Sequence, residues 1–218
     1  MNVSAGGQTV PMAQTTTGLA GSPADHEQKQ VLKKYLQETR EALLWKLEGL
    51  TEKQARWPLV PSGNNLLGLV KHCANIEIGY FGPTFGREWP NPEELVSEQA
   101  WEEDLQADWY ATADESVASI TDLYRRAWAF CDETINTLPL DTIGHVPWWK
   151  TGDVTLFRII VHVTDELARH AGHADILREL TDRSVGLSVN NSNLPDWDKS
   201  EFELYVEKLK NLAERAGD

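Results

Sequence analysis

Positive charge is scarce in this chain. Twenty lysines and arginines stand against 34 aspartates and glutamates, a net charge of −14. Nucleic-acid binding uses Lys and Arg to replace phosphate counterions, so this surface repels that partner. Cysteine is nearly absent. Cys73 and Cys131 are the only two, neither lies in a CxxC, and the pattern fits reduced thiols in a reducing, cytoplasmic compartment. No apolar run of about 18 residues occurs, so no membrane span is expected. No Lys or Arg precedes Lys29 and no long apolar segment opens the chain, so no secretory signal is read there. Strand-like alternation and internal repeats are missing as well.

What is present is helical. The 218 residues suit one domain or a domain with a tail, and nine tryptophans supply large buried area. Residues 1–21, rich in Gly, Thr, Ala and Gln, read as a disordered tail. Ser22-Pro23-Ala24-Asp25 starts a helix that carries Val31, Leu32, Tyr35, Leu36, Leu43, Leu44 and Leu47 on one side and ends near Gly49. A short helical turn follows at 51–57. Asn64 or Asn65 caps a second long helix, and Gly82-Pro83 stops it.

Residues 85–111 form a long connection with Trp89, Trp101 and Trp109. Between Glu88 and Glu115 stand ten carboxylates and no Lys or Arg. The stretch reads as a solvated loop with short helical turns, with a site for basic partners as the rival reading. Thr112 to Glu115 reads as a capping box for a third helix ending near Thr137, and Asp153 as the cap of a fourth. A last helix, 199–215, carries Phe202, Tyr205, Val206, Leu209 and Leu212 at helical spacing. The expected fold is all-α. A four-helix bundle with one long crossover occupies 22–183, and a loop and extra C-terminal helix, 184–218, pack on it. Apolar residues left over on that last helix leave room for a homodimer.

The fourth helix holds the chemistry. At about 100° per residue, with His162 at zero, Arg158 lies at about −40°, Glu166 at about 40°, His170 at about 80° and His173 at about 20°. Leu156, Ile159, Ile160, Val163, Ile176 and Leu177 flank this stripe. A face both polar and apolar at helical period points into a core with a site in it. A carboxylate among apolar residues is costly unless paired or metal-bound. With His72 from the second helix, Glu166 and His170 offer imidazole and carboxylate donors suited to zinc, nickel or iron(II). Spacing alone leaves open which three of these side chains bind.

Two stretches, LLGLVKHCANIE and VHVTDELARHAGHADILREL, separated by the long connection, resemble the DinB/YfiT-like metalloenzymes, especially an actinobacterial subgroup. The resemblance spans residues 28–183. It implies an up-down-down-up DinB-like bundle with one divalent metal. The ligands it implies are a histidine on the second helix and a His/Glu-x-x-x-His pair on the last bundle helix, here His72, Glu166 and His170. The family commonly has His where this chain has Glu166. Mycothiol-dependent maleylpyruvate isomerase relatives also use Glu, so the resemblance is to thiol-dependent members.

The expected function is thus a metal-dependent S-transferase or isomerase. A low-molecular-weight thiol, mycothiol by resemblance, is its co-substrate, and a small electrophile its second partner. His162 and His173 then stand beside the ligands, orienting them or shuttling a proton. Arg158 is a candidate for an anionic substrate group or for an ion pair with Asp153 or Glu166. Trp45, Trp148 and Trp149 are candidates for the mouth of the site. Two rivals stand beside this reading. One is a non-haem iron(II) site that activates oxygen. The other is a non-enzymatic metal-binding stress-response protein, its metal closed off by a fourth ligand such as His173.

Overall fold

The computed structural model describes residues 23–216. The expected tail and the Ser22 cap lie outside the described residues. The elements are α1 (Pro23–Trp45), α2 (Glu52–Arg56), α3 (Leu66–Phe81), α4 (Glu98–Glu103), α5 (Val117–Thr137), β1 (Ile143–His145), β2 (Asp153–Thr155), α6 (Leu156–Asp182) and α7 (Lys199–Ala216).

Caps decide where the long helices begin. The Asn65 side chain accepts from Gly68 N at 2.8 Å and opens α3. The expected box at 112–115 forms only as a turn, with Thr112 N donating to Glu115 Oε2 at 2.6 Å. Glu115 is also drawn to Lys71 Nζ, 2.8 Å away, and the cap of α5 moves four residues on, from Thr112 to Ser116, in a reciprocal Ser116–Ser119 box. Thr155, not Asp153, caps α6: its hydroxyl accepts from Arg158 N at 3.2 Å, while Asp153 opens the second strand of an antiparallel β1–β2 hairpin and meets His145 Nδ1 at 2.9 Å. Strands of three residues are too short to show an alternating pattern, so this hairpin left no sequence signal.

α1, α3, α5 and α6 make the bundle. Lys29 near the start of α1 reaches the Leu138 carbonyl just past α5, while Arg178 late in α6 donates to the Lys46 and Glu48 carbonyls just past α1. α1 and α6 therefore run one way, and α3 and α5 the other. The parallel pair α3 and α5 needs a long crossover, which is residues 82–116.

Leu36, Leu43, Leu67, Phe81, Ile135 and Leu156 are fully buried between the helices. Val31, Tyr35 and Ile176, expected inward, are more than half exposed. Neighbouring helices cover only one stripe of each helix, and these residues lie at its margin. Cys73 and Cys131 are buried free thiols, and burial pushes both well above the usual thiol range.

Among the described residues one ion pair, Arg40 with Glu77, is buried on both sides. Arg40 Nε donates to both oxygens of Glu77 at 3.1 and 3.0 Å, and Nη1 to Asp132 at 2.8 Å. Burial works against the guanidinium charge, but Glu77 outweighs it and raises the Arg40 pKa.

The crossover is pinned to α3 near the start of that helix. Asn65 Nδ2 donates to the Trp109 carbonyl at 3.2 Å, and Lys71 Nζ to the Tyr110 carbonyl at 3.1 Å. Between them Gly68 lets the loop backbone touch the helix: a methyl there would sit 1.8 Å from the Trp109 oxygen.

α7 departs from expectation. None of its residues is buried, and Leu204, Tyr205, Val206, Leu209 and Leu212 are all exposed. The helix forms as the spacing predicts, but it does not bury its apolar stripe against the bundle. No helix among the described residues is long and apolar enough to cross a membrane.

Candidate metal centre

α3 and α6 lie antiparallel, so residues on their facing stripes meet in reverse order. His72 meets His170, with ring centroids 4.9 Å apart. Eight residues on along α3 and eight back along α6, Tyr80 meets His162, with centroids 5.0 Å apart. Glu166 lies between these two crossings on α6. One donor atom from each of His72, Glu166 and His170 falls within 4.8 Å of the other two, and His170 Nε2 is 3.3 Å from Glu166 Oε1.

The surroundings set the state of each donor. His72 is buried, and its Nδ1 meets Asp108 Oδ2 at 2.5 Å. Trp109 stacks on the His72 ring at 3.8 Å. The other ring nitrogen, Nε2, is buried and has no hydrogen-bond partner among the described residues, and the same holds for His170 Nδ1. Burial first, and then the neighbouring His72, lower the His170 pKa against the pull of Glu166. A neutral imidazole with a free lone pair is the form that binds a cation. Two imidazoles, one carboxylate and the two orphaned buried nitrogens fit a divalent ion of the zinc, nickel or iron(II) class.

Asp108 was not legible as a site residue. It is one of the ten acids of the crossover, yet it is only 2 % exposed, because the Gly68 contact presses its segment onto α3. The solvated reading of that stretch fails at this residue and again at Glu94, which pairs with Arg126 at 2.7 and 2.9 Å. An acceptor on the far nitrogen of a metal-binding histidine fixes its tautomer and direction. Asp108→Asn is expected to weaken zinc binding by about 10–100-fold, measured by chelator competition, with the fold intact.

Beside the three donors lies a cavity of about 1000 Å³. His72, Glu166, Asp108, Tyr80 and His162 line it, with Trp89, Trp101 and Trp148 as aromatic walls. Tyr80, at about 80° from His72, shares the same side of α3. Trp148 lines the cavity. Trp149 stands behind it, its ring 4.9 Å from that of His162. Arg158 is exposed and stacks over Trp149 at 5.0 Å, outside the lining. Trp45 is not at the mouth: it lies at the end of α1 under Lys46 Nζ. His173 shares the helical angle of His162, but it is exposed and does not line the cavity. Its ring is 5.7 Å from that of His170.

No curated protein matches the chain. The sequence model of the mycothiol-S-transferase family matches residues 31–183, the span that includes α3, α5, α6, most of α1 and all three donors. With most of its length covered by that match, the chain belongs to the mycothiol-S-transferase family of DinB-like proteins.

Proposed function

We propose that the protein is a divalent-metal-dependent S-transferase that joins a low-molecular-weight thiol, mycothiol by family, to a small electrophile. The observation that carries this reading is the convergence of His72, Glu166 and His170 beside a cavity large enough for a substrate, with His72 and Glu166 on its wall. An isomerase that uses the same thiol would need the same donors.

His72, Glu166 and His170 hold the cation, zinc in the first instance, with nickel or iron(II) as other candidates. Bound there, a divalent ion supplies Lewis acidity, which keeps a thiol deprotonated near neutral pH. Asp108 holds His72 in the tautomer whose Nε2 lone pair faces the site. Trp89, Trp101, Leu95 and Val96 present apolar surface to the electrophile and keep water from it. The same open space tells against a closed, non-enzymatic metal site. Two buried free thiols suit a reducing compartment, and we place the protein in the cytoplasm.

Metal-stripped protein, resupplied with zinc, nickel or iron(II), is expected to consume mycothiol in the presence of monochlorobimane or chlorodinitrobenzene. Chelator should abolish the rate and metal restore it. No rate above background with mycothiol or other thiols would end this reading. A rate that needs iron(II) and oxygen would favour the oxygenase-type rival.

A further inference from the structure

Three ring nitrogens converge on the Tyr80 hydroxyl. Trp149 Nε1 is 3.2 Å from it, Trp148 Nε1 3.4 Å and His162 Nε2 3.1 Å. A phenol offers one hydrogen and two lone pairs, and an indole N–H can only donate. The two indoles fill both lone pairs. The phenol hydrogen is left for His162 Nε2, which must then accept it. Were His162 to donate instead, three hydrogens would crowd two lone pairs and the phenol hydrogen would have no partner.

We infer that Tyr80 locks neutral His162 in its Nδ1–H tautomer, making it a hydrogen-bond donor for substrate at the far end of the cavity. His162 lines the same cavity as His72 and Glu166, eight residues or about 12 Å of helix rise from His170. The lining carries the carboxylates of Glu88, Asp108 and Glu166 and no lysine or arginine. An uncharged acceptor therefore suits this end better than an anion does. The substrate class assigned is an electrophile with a carbonyl or similar neutral oxygen remote from the carbon that sulfur attacks, set on an apolar or aromatic body that fits the tryptophan walls. His162 contacts the substrate, and Tyr80 is a positioning residue that acts through it. The substrate assignment rests on the S-transferase reading; the tautomer does not.

Two measurements on full-length, zinc-loaded protein test this. Long-range ¹⁵N–¹H correlation spectra should show His162 as the Nδ1–H form, and Tyr80→Phe should let the Nε2–H form appear. A wild-type spectrum of the Nε2–H form overturns the lock. In the second measurement, unreactive 4-methylacetophenone and its carbonyl-free analogue 4-isopropyltoluene are titrated in. The ketone should bind about tenfold tighter and shift the His162 Nδ1 resonance, and His162→Phe should bring the two affinities together. Equal affinities in the wild type overturn the donor role. Ketone preference without thiol consumption would leave this subsite standing and sink the transfer reading. Thiol consumption without ketone preference would do the reverse.

Discussion

His170→Ala is expected to abolish metal-dependent thiol transfer and to weaken zinc binding by more than the roughly 10–100-fold that loss of a supporting residue costs. His170 supplies a donor from the most deeply buried part of the α6 stripe, 3 % exposed, and its nitrogen stands next to Glu166. Its removal leaves one imidazole and one carboxylate, a donor set with little hold on a divalent ion at neutral pH. The same loss should be visible without any activity measurement. A cation that binds only the folded state stabilises it by about 2.7 kcal/mol at one hundred times its Kd. Thermal unfolding of the wild type should therefore move to higher temperature with added zinc, while the variant stays where its metal-free form melts. If the variant kept the zinc-dependent shift, the donor set would be wrong.

The second large effect falls on stability. Arg40→Met should destabilise the fold by about 3–5 kcal/mol, because it leaves Glu77 as an uncompensated buried charge. Arg40 is 1 % exposed and Glu77 0 %, so water cannot take over the role of the guanidinium. Urea unfolding is the measurement, read as a lower midpoint at unchanged slope. Adding Glu77→Leu should recover most of the loss, since a buried pair replaced by apolar groups of similar volume is often neutral. Asp132 keeps Lys33 at 3.1 Å in either variant. A single variant as stable as the wild type would show that the pair contributes little.

The parts that the sequence made legible share one property: they depend on repeat angle along a single helix. His162, Glu166 and His170 share a stripe of α6, and the structure brings the latter two to His72. Angle says nothing about how far a neighbour extends, so His173 looked equivalent to His162 and is exposed. Nor does it report contacts across the chain. Asp108 sits 36 residues from His72 among acids of similar appearance, and only the glycine contact at residue 68 distinguishes it. Tyr80 was hidden differently, since a tyrosine on an apolar stripe looks like core until the partners of its hydroxyl are known. Helix starts moved where a side chain had a better offer elsewhere, as Glu115 did with Lys71.

The matched spacing of the two crossings, His72 with His170 and Tyr80 with His162, has a consequence for how such a protein diversifies. Both ends of the cavity are mounted on the same two rods, and the gap between them is a whole number of residues on each. An inserted or deleted residue between the mounts would swing one end by about 100° relative to the other and spoil both at once. The yardstick is therefore rigid. Variation in what the protein accepts is channelled into the crossover, where the walls around Trp89 and Trp101 can be rebuilt without disturbing either mount.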